Sequence, residues 1–313
     1  MDSVAIDRFE AGRGRLASLA YRLLGSAADA EDAVQDAFLR WQAADRDRIE
    51  VPEAWLTRVV TNLCLDQLRS AHARHERAAG DLLPEPLLQG DPMLGPADTV
   101  EQRDSVSLAV LTVMQRLAPV ERAAYVLREA FCYPHAEIAG ILDISESASQ
   151  QHVHRARRRV AAERRGGGAE VDPASARRVV EEFLTATTSG RVDRLVAMLT
   201  ADATAVSDGA GLARRLLRLT GPEQIAANVR AGFRPTPAKI RLAGGTPVLY
   251  IAEVNGAPAV LALVDGRVRG AVVLDLRDGK VAGLCGIAAA GRLARLDAAW
   301  QRLDNVPPAV AGW

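Results

Sequence analysis

Apolar residues recur at helical spacing through the first half of the chain. A first helix is predicted over residues 4–24, and Gly25 follows as a natural helix stop. A second helix is predicted from Ala28, with apolar positions three and four residues apart: Ala30, Ala33, Val34, Ala37, Phe38 and Trp41. A third begins at Pro52 or Glu53, and its predicted buried face is Trp55, Val59, Leu63 and Leu68. These segments predict a first helical domain at residues 1–78.

A second helical domain is predicted at residues 105–165. LAVLTVMQRLAPVERAAYVLREAF reads as two helices broken at Pro119, and HAEIAGIL, DIS and ESASQQHVHRARRRV read as helix, turn and helix. Ser145 stands where it caps the last of these helices. A generic pair of packed helices shows the same periodicity, so the pattern alone leaves DNA binding open.

The pattern changes beyond the glycine and proline hinge at residues 166–173. A helix, ARRVVEEFLTATTSG, comes first, and strand-like pieces follow Gly221 with hairpin turns at Asn255-Gly256, Asp265-Gly266 and Asp278-Gly279. This order predicts an α+β domain at residues 174–290, built as a helix and a meander of antiparallel strands. The tail at 291–313 carries an apolar helical stripe, which either packs on its own domain or docks elsewhere.

Composition sets the limits of this organisation. A chain of 313 residues has room for two or three domains. Its formal net charge is zero, so binding to nucleic acid has to come from local clusters. The three cysteines have no paired spacing, which supports neither a disulfide nor a metal site. The acidic start and the lack of a long apolar run predict a soluble, cytoplasmic protein that does not enter a membrane.

The second helix has an acidic face opposite its apolar one. That face carries Glu31, Asp32, Gln35, Asp36 and Leu39. An acidic stripe by itself is as well explained by solvation. Leu39 within the stripe favours a surface for a protein partner.

The third helix has a basic and amide face. It carries Arg58, Asn62, Asp66 and Arg69, followed by Arg74 and Arg77. Arginines on one helix face can meet phosphates while an asparagine meets a base edge. The last helix of the second domain offers a comparable set: Ser147, Gln150, Gln151, His154, Arg155, Arg157 and Arg158. In a helix-turn-helix the early residues reach bases and the later ones clamp phosphate.

These motifs resemble extracytoplasmic-function sigma factors of the sigma-70 family. AEDAVQDAFLR is similar to the region 2 surface that grips the clamp helices of RNA polymerase, and WLTRVVTNLCLDQLR to the helix that opens the minus-ten element. In that resemblance Asn62 falls on the position that contacts an unstacked base. The helix-turn-helix resembles region 4, which reads the minus-thirty-five element. The resemblance implies a multidomain protein with two all-α domains.

The segment between these domains, residues 79–104, is acidic and rich in proline and glycine, which predicts an extended linker. In the family it takes the place of region 3 and threads the channel used by nascent RNA. LLPEPL at 82–87 resembles a motif of sigma factors that carry an extra carboxy-terminal domain, although Leu82 stands where a Trp is usual.

The α+β domain resembles the SnoaL-like branch of the nuclear-transport-factor-like fold. SDGAG at 207–211 is similar to its turn motif in sigma fusions, while AAGRL at 289–293 departs from the Asn-Pro-Asp-Lys-Leu marker and keeps a basic residue only as Arg292. The resemblance implies regulatory contacts through Pro84, Glu85, Pro86, Asp208, Gly209 and Gly211. Enzymes also use this fold, but every histidine precedes the hinge, which leaves Asp202, Asp208, Glu223 and Glu253 as bases.

Together these features predict a transcription initiation factor without catalytic activity or cofactor. Its expected partners are core RNA polymerase and promoter DNA. The carboxy-terminal domain is expected to regulate in cis, which would make a separate anti-sigma factor unnecessary and leaves room for a small ligand in the cone. The alternatives are a SnoaL-like enzyme fused to a helix-turn-helix and a ligand-sensing regulator that binds duplex DNA without polymerase.

Overall fold

The chain forms two compact units in a computed structural model. The structure describes residues 3–74, 83–95, 99, 102, 105–164, 172–209, 216–234, 236–304 and 306–310. Unit 1 combines Met1–Gly80 with Gly90–Arg165, and unit 2 combines Asp81–Gln89 with Gly166–Trp313. Both predicted helical segments therefore lie in unit 1, and a short piece of the predicted linker lies in unit 2.

Unit 1 begins with three long helices, α1 (Ser3–Leu24), α2 (Ala27–Ala43) and α3 (Pro52–Arg74). The predicted stop after α1 is confirmed, because Gly25 adopts a positive φ of 71°. Ser26 caps α2 by accepting a hydrogen bond from the backbone N–H of Asp29. Aromatic contacts join the helices, with ring centroids 4.9 Å apart for Phe9 and Phe38 and 5.7 Å apart for Trp41 and Trp55.

The predicted buried face of α2 is confirmed, with Phe38 only half-buried at its edge. The predicted face of α3 is wrong in phase. Trp55, Val59 and Leu68 are only half-buried, and the fully buried positions are instead Leu56, Thr57, Val60, Thr61, Leu63, Cys64 and Leu65. The reason is that α3 packs against α1 and α2 on one side and against two later helices on another, so its buried surface is wider than one stripe.

The second half of unit 1 contains α4 (Leu108–Met114), α5 (Pro119–Glu129), α6 (His135–Leu142) and α7 (Glu146–Arg164). The predicted break at Pro119 and the predicted helix-turn-helix are both confirmed. Ser145 Oγ accepts from the backbone N–H of Ala148 at 3.1 Å, as its position predicted. The turn between α6 and α7 passes through Asp143, whose φ of 55° is left-handed.

Two buried arginines join the halves of unit 1. Arg22 donates to Ser105 Oγ at 2.8 Å and to the carbonyl of Leu94 at 2.9 Å, and Arg122 donates to the carbonyl of Leu23 at 2.7 Å. Burial lowers the pKa of each guanidinium to about 10. In each case, a buried guanidinium of one half is thus held by uncharged carbonyl or hydroxyl oxygens of the other half.

Unit 2 is an α+β domain, so the predicted fold class is confirmed. Its helices are α8 (Pro173–Thr188), α9 (Val192–Met198), α10 (Pro222–Phe233), α11 (Pro237–Ala243) and α12 (Ala290–Trp300). Its strands are β1 (Leu199–Ser207), β2 (Leu217–Thr220), β3 (Val248–Val254), β4 (Ala257–Val264), β5 (Arg267–Arg277) and β6 (Lys280–Ile287). They form one sheet in the order β2-β1-β6-β5-β4-β3.

The sheet departs from the predicted antiparallel meander in two ways. β1 and β2 precede Gly221, and β1 runs parallel to β6, while the residues directly after Gly221 form α10 and α11 rather than strands. The three predicted hairpin turns are confirmed, because Asn255, Asp265 and Asp278 all have φ near 50° before a glycine with positive φ. The turns could be predicted from the residues that form them, whereas the pairing of strands distant in sequence could not.

The final helix, α12, packs on its own domain. Leu293, Leu296 and Trp300 are buried, and the Trp300 ring meets Tyr250 edge-on at 5.3 Å. Asp297, also buried, accepts from the backbone N–H of Val268 at 2.9 Å. The first of the two alternatives for this stripe is therefore the correct one.

Candidate nucleic-acid and protein interfaces

The acidic face of α2 is open to solvent. Glu31, Asp32, Gln35, Asp36 and Leu39 are all exposed, and Leu39 keeps 53% of its surface accessible. The opposite face is buried, which fixes the orientation of the helix. An acidic stripe that ends in one large exposed apolar residue is suited to a partner protein whose surface is basic with an apolar pocket.

The predicted base-reading face of α3 is also accessible. Arg58, Asp66 and Arg69 are exposed, and Asp66 and Arg69 form an ion pair at 3.4 Å. Asn62 is half-buried between them, and among the described residues its amide has no hydrogen-bond partner. The side chain of Arg74 and the whole of Arg77 lie outside the described residues. An unsatisfied amide beside an exposed arginine is equipped to bind a base and the adjoining phosphate.

The recognition helix α7 presents a continuous polar face. Ser147, Gln150, Gln151, His154, Arg155 and Arg158 are exposed, while Ser149, Val153, Ala156 and Val160 are buried. Ser149 Oγ lies 3.0 Å from Nδ1 of His135 on α6, which fixes the two helices of the motif to each other. The predicted amides and His154 thus lie together on the outer face of the helix.

The arginines of α7 differ in their surroundings. Arg155 and Arg159 both pair with the buried carboxylate of Glu121 on α5, at 2.7 and 2.8 Å, and Arg157 pairs with Glu129 at 2.7 Å. Arg158 is exposed and has no ion pair among the described residues. Three of the four arginines therefore anchor α7 to α5, a role that sequence spacing did not reveal. Of the predicted phosphate contacts, Arg158 is the one left fully available.

Residues 83–89 of the linker, here called the linker strand, join unit 2 through one β-bridge. Leu83, Leu87 and Leu88 are buried, and Leu88 forms an antiparallel bridge with Val254 at the end of β3. β3 is the outer strand of the sheet, so the segment covers part of an open edge. Residues 83–87 are not helical, as predicted, but here the segment belongs to unit 2 rather than acting as a free spacer.

Asn255 makes two of the hydrogen bonds that hold this strand on unit 2. Its Oδ1 accepts from the N–H of Leu87 at 2.7 Å, and its own N–H donates to the carbonyl of Leu87 at 2.9 Å. The N–H of Gln89 donates to the carbonyl of Glu253 at 3.0 Å, and Arg292 donates to the carbonyl of Leu83. The sequence marked Asn255 only as a turn residue; Arg292 was visible as the basic position of AAGRL.

The predicted regulatory motif has a structural role inside unit 2. Asp208 is buried, and its carboxylate accepts from the backbone N–H groups of Ala288 and Ala289, 2.9 to 3.1 Å away, at the start of α12. Pro84 and Pro86 are buried with the linker, while Glu85 and Gly209 are half-buried. Gly211 lies outside the described residues.

The carboxylates named as bases have little acid-base chemistry open to them. Asp202 is hydrogen-bonded to Thr200 and to Arg277, and these bonds lower its pKa. Asp208 is held by α12, and Glu223 and Glu253 are exposed. Burial raises the pKa of the Cys285 thiol to about 12, so this thiol stays protonated at neutral pH. The described part of the chain contains no cluster of metal-ligating side chains.

Comparison with known proteins identifies the family of the chain. Residues 8–74 match the model of sigma-70 region 2, and residues 107–160 match that of sigma-70 region 4. Over 286 residues the chain is 37% identical to the ECF RNA polymerase sigma factor SigJ of Mycobacterium tuberculosis, covering 90% of this chain and 91% of SigJ. The chain belongs to the ECF sigma factors. It is also 33% identical to the probable ECF RNA polymerase sigma factor SigI of that organism, over 87% of this chain and 89% of SigI.

The likeness extends to the fold of the whole ECF sigma factor. The crystal structure of M. tuberculosis SigJ superposes with a TM-score of 0.69 at 32% identity and covers 93% of this chain and 98% of that one. The predicted family, fold class and function as a transcription initiation factor are thereby confirmed. Sigma factors bind core RNA polymerase and promoter DNA. No helix in the described ranges combines the length and apolar character that crossing a membrane requires.

Proposed function

We propose that this ECF sigma factor grips core RNA polymerase through the exposed face of α2. Glu31, Asp32, Gln35 and Asp36 would meet basic side chains, and Leu39 would fill an apolar pocket between them. The proposal is supported by one observation above all: Leu39 is exposed at 53% at the carboxyl end of an acidic stripe, and the other side of the same helix is buried in the helical core. A surface of this kind has few uses in a protein that acts on DNA alone.

Promoter recognition is assigned to α3 and α7. Asn62, with Arg58 beside it, would capture a base unstacked from the minus-ten element, at a stacking cost of a few kcal/mol that the pocket offsets. Asp66, Arg69, Arg74 and Arg77 would line the same strand. On α7, Ser147, Gln150, Gln151 and His154 would read the minus-thirty-five element, with Arg158 and the outer edges of Arg155 and Arg157 on phosphate.

The carboxy-terminal unit is assigned a regulatory role in cis, without a separate anti-sigma factor. Support comes from the linker strand, which carries Pro84, Glu85 and Pro86 into unit 2 and holds them there through Asn255 and Arg292. Whatever binds or loosens unit 2 would change how freely the region 2 and region 4 helices move. Asp208 would act indirectly by fixing α12, which carries Arg292.

The remaining assignments follow from this role. The protein would work in the cytoplasm, where its polymerase is, and would carry out no reaction of its own. A small ligand inside the α+β unit would act by altering the hold on the linker. The enzyme alternative gains no support from the carboxylates of unit 2, since Asp202 and Asp208 are bound to other protein groups.

The polymerase interface is tested by reversing its charge. Glu31→Arg with Asp32→Arg is expected to abolish co-elution with core RNA polymerase and transcription from any promoter the wild type uses, because like charges would face each other across the interface. The matched control is Asp7→Arg with Glu10→Arg, which makes the same charge change on exposed positions of α1. Unchanged co-elution of the α2 variant, or equal loss in the α1 control, would refute the assignment.

A further inference from the structure

One surface of unit 2 carries a local excess of positive charge. Residues 222–244, here called the α10–α11 hairpin, contain four basic residues, Arg230, Arg234, Lys239 and Arg241, and a single acid, Glu223, in a chain whose net charge is zero. Glu223 lies in the first turn of α10, about 10 Å along the helix axis from Arg230. The carboxyl end of the hairpin is therefore a concentrated positive patch.

The first helix of the hairpin, α10, is packed into the core of unit 2, whereas no residue of α11 is buried. Ile225 and Ala226 on α10 are completely buried in the core of unit 2, and Phe233 meets Phe183 edge-on at 6.4 Å. Arg230 is exposed near the carboxyl end of this anchored helix, Arg234 follows directly after it, and Arg241 lies on α11. Lys239 of α11 holds this region together by donating to the carbonyls of Gly232 and Arg234.

Lys239 has a structural role within unit 2. Its Nζ donates to the carbonyls of Gly232 at 2.9 Å and Arg234 at 3.3 Å, and also to that of Ala231, so it caps the carboxyl end of α10. Burial first, and then the charge of Arg234, lowers the pKa of Lys239. Since Lys239 already satisfies these carbonyls, helix capping does not account for the neighbouring arginines.

Those arginines have no acid to neutralise them. Arg230, Arg234 and Arg241 are exposed, and within the described ranges none is in an ion pair. Other arginines of unit 2 behave differently: Arg177 pairs with Glu181, Arg191 with Asp193, Arg194 with Glu182, Arg267 with Asp297 and Arg277 with Asp202. Arg178, Arg269 and Arg302 are also exposed without an ion pair in the described ranges, but they lie far apart in sequence, whereas the hairpin groups three such arginines within twelve residues.

We infer that the α10–α11 hairpin binds the phosphate backbone of duplex promoter DNA. Guanidinium groups match phosphate oxygens, and duplex DNA presents one phosphate charge per about 1.7 Å of its axis, so each of the three arginines can meet a phosphate without sequence preference. Unit 2 then contributes a sequence-independent hold on the DNA that α3 and α7 read.

The tether makes so small a patch useful. Three phosphate contacts by themselves bind weakly, but a chain that already holds DNA through α3 and α7 presents the hairpin at an effective concentration on the order of millimolar. The inference goes beyond the interfaces proposed above, because neither α2, α3 nor α7 takes part. It also gives unit 2 an influence on promoter affinity that does not pass through the linker strand.

The test uses the full-length chain and a fluorescent 40-base-pair duplex of arbitrary sequence, with affinity measured by anisotropy from 50 to 300 mM KCl. The test variant is R230Q/R234Q/R241Q, and the control R177Q/R191Q/R194Q removes the same three charges from ion-paired positions. For the test variant we expect the slope of log Kd against log salt to fall by about 2 to 3, since each phosphate contact contributes about 0.9. The control should keep the slope of the wild type.

Several results would overturn the inference. They are an unchanged slope in the test variant, an equal change in both variants, no measurable duplex binding by the wild type at 50 mM salt, or stronger competition by single-stranded RNA than by duplex DNA. Equal melting temperatures of the three proteins exclude unfolding as the cause of a change. Loss of polymerase co-elution with normal DNA binding would instead assign the patch to a protein partner.

Discussion

Asn62 shows how a single residue is kept available for binding. Arg58, one turn earlier on α3, is exposed. Thr61, the preceding residue, is buried, and its hydroxyl donates to the carbonyl of Thr57 at 2.7 Å. Thr57 in turn lies 3.2 Å from the hydroxyl of Tyr133. The hydroxyls of Thr57 and Thr61 therefore have partners within the fold. The Asn62 amide, at the boundary of the buried surface, has none among the described residues.

Asn62→Ala is expected to lower open-complex formation about tenfold, because a specific base contact is worth about 1–3 kcal/mol. Permanganate reactivity of the opened strand measures the effect, and co-elution with core polymerase should be unchanged. Gln67→Ala is the matched control, since it removes an amide from the same helix on a different side. Equal strand opening by the Asn62 variant and the wild type would show that this amide does not hold a base.

The linker strand is the element on which the proposed regulation in cis depends. Its residues are separated by more than 160 positions from Asn255, yet the two segments exchange a pair of hydrogen bonds and bury three leucines. Adding a strand to an open sheet edge uses main-chain bonds for affinity and side-chain pockets for specificity. Such a contact can form and release as a unit.

Leu87→Ala is expected to weaken this docking by about 2–4 kcal/mol, because the wild-type side chain is fully buried. Amide hydrogen exchange at residues 87, 89 and 255 should then accelerate at least about thirtyfold, following the tenfold change per 1.4 kcal/mol. Gln89→Ala, at an exposed position of the same segment, should leave exchange at residue 255 unchanged. Protection unaffected by Leu87→Ala would mean that the strand is not held by its leucines.

At the scale of the whole molecule, the linker is divided: residues 81–89 belong to unit 2, and the residues from Gly90 onward belong to unit 1 with the helices. Removing everything after Gly166 therefore does more than delete a domain. It also removes the surface that buries Leu83, Leu87 and Leu88 and the groups that bond the linker backbone. The linker would be free to adopt other conformations, and its leucines would be exposed.

A chain ended at Gly166 is expected to initiate transcription with core polymerase at a rate different from that of the full chain, and to aggregate more readily. Run-off transcription from genomic promoter fragments measures the first effect. Replacing Leu83, Leu87 and Leu88 with serine in the shortened chain should restore solubility and separate the two effects. Identical transcription by the full and shortened chains would exclude regulation in cis.

The sequence by itself determined the local structure of this sigma factor and the faces that depend on it. The helix limits at Gly25, Pro52 and Pro119 and the hairpin turns were predicted correctly, because capping, proline and turn chemistry act within a few residues. The exposed stripe of α2 was equally readable, since one helical period specifies both its buried and its exposed side.

Tertiary structure alone decided which polar and charged side chains have partners within the protein and which are available to bind something else. The wider burial of α3, the pairing of Arg155 and Arg157 with acids on α5, the parallel β1 and β6, and the linker strand all join residues distant in sequence. No local period encodes such partners. The same long-range pairing separates the neutralised arginines of unit 2 from the free ones on the α10–α11 hairpin, which in sequence look alike.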